Sequence, residues 1–351
     1  MRKIVIITFA IVVFIVSFNG KVTNTPYPFS ELVNFPKMPV SVANPVTKEG
    51  AALGRYLFYD PILSNDSTIS CSSCHQQKYA FSDSPNQFSK GRNGVLMKRN
   101  TMPLFNLAWY PAFFWDGKAP TIEAQVFHPI RAADEMNMKL NSALERLNKS
   151  KFYKNKFASV FDKEHIDSSD IANALGQFLR TLISHQSKYD LYLEGKIKFT
   201  EDEFEGFVLT NLQNKGDCLH CHTTDADALG TTATFSNNGL DDILNPADYK
   251  DKGLGAITKN KNDNGKFIIP TLRNIALTAP YMHDGRFKTL EDVVEFYNTG
   301  LHNSVNVDSK LESAYKGGVH LSTEEKHKIV SFLKTLTDST FITNPEFSNP
   351  F

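Results

Sequence analysis

The chain has 351 residues, 41% hydrophobic and 22% charged, an ordinary globular composition with apolar material for two domains of usual size, which excludes disorder as the default. Lys and Arg total 38 and so do Asp and Glu, and this balance argues against nucleic acid, an anionic membrane surface or a charged polymer as partner. A local patch can still steer a small partner protein.

Met1-Arg2-Lys3 is basic, and an unbroken apolar run from Ile4 to Phe18 precedes Asn19, Gly20 and Lys21. The pattern predicts a secretory signal over residues 1–20 and export to the periplasm. A spanning helix needs about 20 apolar residues, more than the run offers. No small-x-small cleavage site stands near Ser17 to Gly20, so an uncleaved tether, and membrane association through it, stays open.

Thr47 to Tyr59 carries Leu53, Leu57 and Phe58 at helical spacing and ends at Asp60-Pro61. Ser168 to His185 forms a longer amphipathic segment with Ile171, Leu175, Phe178, Leu179 and Leu182 on one face. Thr200 to Asn214 opens with a Thr200/Glu203 capping box. Thr231 to Gly265, rich in Gly, Asn, Asp and Thr, reads as loop. Two further helices are predicted, Thr289 to Thr299 before Gly300 and Ser322 to Leu336 behind a Ser322/Glu325 box. The fold class that follows is mainly α, with long loops and few strands. The domains are expected at 21–190 and 191–351, with no internal repeat beyond the cysteine motifs.

All four cysteines fall in two pentapeptides, Cys71-Ser-Ser-Cys74-His75 and Cys218-Leu-His-Cys221-His222. Two thiols one helical turn apart can add to the two vinyl groups on one edge of a haem, and the adjacent histidine then supplies the proximal nitrogen. A redox dithiol or half a zinc site is the competing reading of one such motif. Two copies in an exported chain with no other cysteine favour two covalently bound haem c groups. His220, a spacer inside the second motif, reads as a surface residue.

Several stretches together resemble the bacterial di-haem cytochrome c peroxidases and their MauG-type relatives: Leu53 to Pro61, the first motif, Arg99-Asn100, Phe114-Trp-Asp-Gly-Lys118, Glu123-Ala-Gln125, Glu135-Met136, the second motif and Leu272 to Tyr281. The resemblance implies two cytochrome c-like haem domains, an N-terminal one whose peroxide-reacting haem sits on His75 and a C-terminal one whose electron-transfer haem sits on His222. It implies Trp115 as electron relay between them, and Gln125 and Glu135 in the distal pocket of the first haem, with Pro129 beside them. It also implies a calcium ion at Asn100, Thr278 and Pro280, the last two through backbone oxygen. Glu135 suits proton transfer to a leaving peroxide oxygen; read without the resemblance it is a helix-start carboxylate, and Trp115 a core aromatic.

Two departures stand out. Many di-haem peroxidases have a histidine after the first motif that caps the resting iron, but the interval from Gln76 to Phe127 contains none. The first iron is therefore expected to be open without reductive activation; His128, next to Pro129, is the remaining histidine in reach, and a lone histidine is more often structural. At the second haem, an ungapped count from Leu272 puts Tyr297 where typical peroxidases have the methionine ligand, on one face with Leu290, Val293 and Val294. Met282 is the competing ligand. Tyrosinate favours ferric iron, so the substitution is expected to depress this haem's potential, as in the MauG type.

The leading expectation is reduction of hydrogen peroxide to water, with electrons from a small cytochrome or copper protein. A MauG-like oxidase acting on a partner protein, or a non-catalytic electron carrier, are the alternatives. A homodimer is left open.

Overall fold

The computed structural model describes residues 24–39, 41–223 and 229–351; the expected leader lies outside them. The described residues are mainly helical, and their one sheet is a two-stranded antiparallel pair, β1 (Phe235–Ser236) with β2 (Phe267–Ile268). No described helix is long and apolar enough to cross a membrane.

The first half begins with α1 (Lys48–Tyr59), whose N-cap Thr47 accepts a bond from the Gly50 N–H. Short helices α2 (Ile122–Gln125) and α3 (Phe127–Arg131) follow a long irregular stretch. They form what would be one helix, interrupted because Pro129 has no N–H to return to Gln125. Next come α4 (Leu140–Lys149) and α5 (Lys151–Phe161), which the sequence reading did not predict, and α6 (Ser168–Thr181), four residues shorter than expected. Helix α7 (Lys188–Leu193) leads to the second half. There α8 (Glu201–Asn211), α9 (Gly255–Thr258), α10 (Leu290–Thr299) and α11 (Thr323–Thr335) follow, and α12 (Ser339–Thr343) comes last. The predicted capping boxes at Thr200/Glu203 and Ser322/Glu325 are both formed.

One buried cluster runs from Leu53 to Leu182, and a second gathers Tyr189, Tyr281, Leu290, Val294, Phe332 and Leu336. The chain end crosses back to the first: Phe341 and Phe347 are buried in it, and Arg55 and Tyr59 on α1 donate to the carbonyls of Ser348 and Phe347.

The expectation of no further repeat is corrected. Residues 104–126 and 272–294 align without gaps at a spacing of 168, pairing Leu104 with Leu272, Asn106 with Asn274, Asp116-Gly117 with Asp284-Gly285, and Thr121 with Thr289. The backbones agree: φ is 54° at Asn106 and 55° at Asn274, 69° at Phe114 and 73° at Met282, 70° at Gly117 and 64° at Gly285. Isolated bridges Phe113 to Ala119 and Tyr281 to Phe287 close the same loop in each half. Glycines make equivalent close helix pairs, since a Cβ at Gly54 would drive into the Ala174 carbonyl of α6, and one at Gly206 into the Lys328 carbonyl of α11. The repeat escapes a search for identical residues because most of it conserves backbone conformation and apolar character, not side-chain identity.

Candidate active site

Each pentapeptide starts as a single 3₁₀ turn, Cys71–Ser73 and Cys218–His220, and the histidine N–H of each returns to the first cysteine's carbonyl. Cys71, Cys74 and His75 line one cavity, and Cys218, Cys221 and His222 line another, larger one.

The histidines are held alike. His75 Nδ1 lies 2.8 Å from the Phe81 carbonyl oxygen and His222 Nδ1 lies 2.8 Å from that of Pro270. A carbonyl can only accept, so Nδ1 carries the proton and Nε2 is left as the metal-binding nitrogen. Burial pushes both imidazoles down, His222 to about 4, which keeps them neutral as ligation requires. It pushes the thiols up, to about 12 at Cys71 and Cys218 and about 11 at Cys74. A reactive dithiol needs the opposite shift. A neutral, carbonyl-held histidine directly after each buried cysteine pair fits thioether-bound haem at both motifs.

The first cavity also receives Gln125, Pro129, Glu135 and Met136. Burial, with Asp134 adding to it and Lys118 opposing, holds the Glu135 carboxyl above its ordinary range. Gln125 and Glu135, far apart in sequence terms from His75, are brought into its cavity by the break at Pro129 and the turn in which Met136 N–H bonds the Pro129 carbonyl. His128 takes no part: it is exposed, and its ring meets Phe114 at 5.1 Å. The non-catalytic reading, which needed His128 as a sixth ligand, loses its candidate.

The second cavity receives Tyr297 and Met282 together. Asn238 Nδ2 donates to the Tyr297 hydroxyl at 3.1 Å. Burial pushes this phenol up to about 12, against that bond. Tyr297 is 168 positions beyond Pro129, and α10 matches the α2 and α3 segment residue for residue in length. The two halves therefore present a phenol and a pyrrolidine ring at the same place. Sequence reasoning named both residues without seeing that they correspond.

Between the cavities runs the segment 100–104. Pro103 faces the second and its neighbour Leu104 the first. Trp115 lines the second cavity against this wall, its indole N–H donating to the Asn100 carbonyl at 2.9 Å. Its counterpart in the repeat is His283, whose ring lies 6.5 Å away and stacks on Phe267 at 3.7 Å. Arg99 fixes the assembly, pairing with Asp116 of the first half and Asp251 of the second, each at 2.7 Å. Asn100, Thr278 and Pro280 line the same cavity. Among the described residues no cluster of His, Cys, Asp or Glu could hold a metal ion, so a cation there would rely on neutral oxygens, a hard but weak donor set.

A helical protein with two haem c attachment sites, one open to a carboxylate and the other faced by a phenol, is what fold and cavities define. The comparisons name its family. The profile of the di-haem cytochrome c peroxidases matches residues 48–198. Methylamine utilization protein MauG of Methylorubrum extorquens is 33% identical over 302 residues, 85% of this chain and 81% of the relative. Cytochrome c551 peroxidase of Nitrosomonas europaea is 33% identical over 321 residues, 90% of this chain and 87% of the relative. The crystal structure of a MauG-like protein associated with microbial copper homeostasis superposes with a TM-score of 0.84 at 33% identity, covering 92% of this chain and 99% of that one. The chain belongs to the di-haem cytochrome c peroxidase and MauG family, whose members carry two haem c groups.

Proposed function

We propose that this is an exported, periplasmic peroxidase that reduces hydrogen peroxide to two waters, using two protons and two electrons delivered singly by a small cytochrome or copper protein. Electrons enter at the C-terminal haem domain and peroxide reacts in the N-terminal one. The observation that carries this reading is Pro129 in the first cavity where the second half has Tyr297, since a proline side chain offers no atom to a metal.

Haem held by His75 would supply a metal centre for peroxide and for the incoming electrons. Glu135 takes the proton from the inner peroxide oxygen and returns it to the outer one, which leaves as water; its raised carboxyl pKa suits both halves of that transfer. Gln125, on the other side of Pro129, orients the peroxide by hydrogen bonding. Trp115, on the wall between the cavities, carries electrons from one to the other. Asn100, Thr278 and Pro280 would hold calcium beside it and stiffen that wall.

A second reading, a MauG-like oxidase that withdraws electrons from residues of a partner protein, is favoured by Tyr297 in place of methionine and by the histidine-free interval 76–127. Steady-state peroxide turnover with reduced cytochrome and copper donors, set beside oxidation of candidate partner proteins, separates the two. Peroxide reduction without a donor-protein requirement, or no turnover with any donor, would reject the first reading.

A further inference from the structure

Behind His75 the chain folds into a tight loop. The backbone N–H of Gln76 bonds the Ser82 carbonyl at 3.0 Å, and the Phe81 N–H returns to the Gln76 carbonyl at 2.9 Å. Ala80 and Phe81 both adopt left-handed conformations, φ 52° and 58°. For a large side chain such as Phe81 that conformation is costly. It turns the Phe81 carbonyl to His75, and two residues later it brings Asp83 back to the Gln76 side chain.

Asp83 is only 6% exposed. Its Oδ1 accepts from Gln76 Nε2 at 2.9 Å and its Oδ2 from Ser89 Oγ at 2.7 Å, with Thr101 Oγ1 2.5 Å further along. Both donors are neutral. The carboxylate is thus fixed by two neutral donors that leave its charge uncancelled, and one of them is the side chain of the residue that directly follows His75. The proton-transfer and relay roles described above make no use of it.

The second motif is built otherwise. His222 Nδ1 bonds the Pro270 carbonyl, and the hydroxyls flanking it, Thr231 and Thr271, donate to the carbonyls of Ile269 and Leu229.

We propose that Asp83 is a positioning residue that lowers the redox potential of the haem held by His75, through a fixed negative charge on the proximal side. The inference rests on the reading of both histidines as proximal ligands. A negative charge next to a ligating imidazole raises its basicity and stabilises the higher charge on the metal, the more so where the dielectric is low. The balance affected is the one-electron couple between ferric and ferrous iron. Asp83 thereby favours the oxidised state at the site where peroxide is to be cleaved.

Spectroelectrochemical titration of the full-length holoprotein tests this, with the parent, Asp83→Asn and Asp83→Glu compared. Asn keeps the shape and loses the charge, while Glu does the reverse. In D83N the ferric-to-ferrous ratio of the first haem at a fixed potential should fall about tenfold, a rise in midpoint of about 59 mV for one electron, with the second haem unmoved. D83E should stay near the parent. A D83N midpoint equal to the parent's, a shift shared by both haems, or a D83E shift as large as that of D83N would overturn the proposal. Only molecules carrying haem contribute to the titration, so incomplete maturation reduces its amplitude and leaves the midpoint. A parent with fewer than two covalent haems by pyridine haemochrome assay would sink the underlying haem reading instead.

Discussion

The Asn238 amide donates to the Tyr297 hydroxyl at 3.1 Å and lies 3.5 Å from the Met282 sulfur. One side chain therefore touches both candidates for the sixth position of the second haem. An N–H donor favours the anionic form of a phenol and does little for a thioether, so the contact prefers Tyr297. Replacing Tyr297 by Met is expected to raise the potential of the second haem by exchanging an anionic oxygen for a neutral sulfur. A midpoint unmoved by Y297M would mean that the tyrosine does not ligate.

Glu135 gives a prediction in both rate and pH. General acid and base groups contribute roughly 10²–10⁴-fold, so E135Q should slow peroxide cleavage by about that factor with haem content intact. The base form of Glu135 is the one that starts the reaction. Because burial raises its pKa, the rising limb of kcat/KM for peroxide should lie above the ordinary carboxyl value of about 4.3. That limb should vanish in E135Q. Stopped-flow rates that are equal in the two proteins would remove Glu135 from proton transfer.

Asp190 and Arg273 form an ion pair with side chains 2% and 1% exposed. Removing one partner of such a pair costs about 3–5 kcal/mol, and Asp190→Asn should lower stability by that order in chemical denaturation near neutral pH. Burial pushes the Asp190 carboxyl up, but the bonds from Arg273 and Ser187 outweigh it and hold the group below its usual range. A depressed folded pKa contributes stability above the unfolded value, which is lost as pH falls through the folded one. The gap between parent and D190N should therefore be widest above about pH 4, the unfolded carboxyl value, and close in stronger acid. A gap that widens on acidification would contradict the assignment.

Much of the architecture was legible because it follows from local rules. Helices α1, α8, α10 and α11 begin at Thr47, Thr200, Thr289 and Ser322, each accepting from a backbone N–H as the sequence suggests. Pentapeptide spacing alone located Cys71, Cys74, His75, Cys218, Cys221 and His222 in two cavities. What was not legible depends on contacts distant in sequence. Helix α4 lacks a clean start signal at Lys139, which makes no side-chain cap, and the Ser150 that caps α5 follows directly on the end of α4. The return of Phe341 and Phe347 to the first core is fixed by α1 and has no local mark. The Pro129 and Tyr297 correspondence is visible only once Asn106 and Asn274, at the same left-handed φ, are recognised as one position in two copies. Asp83 carries no mark in the sequence, because its burial and its bond from Gln76, the residue after His75, are set by the folded loop.

The claim that joins these features is that the first haem site is open in the resting oxidised protein while the second is closed by a protein ligand. Electron paramagnetic resonance of the fully oxidised holoprotein, before and after cyanide, reads both sites at once. We predict one high-spin ferric signal, replaced on cyanide addition without prior reduction, beside one low-spin signal that cyanide leaves alone. Two low-spin signals, both indifferent to cyanide, would contradict it.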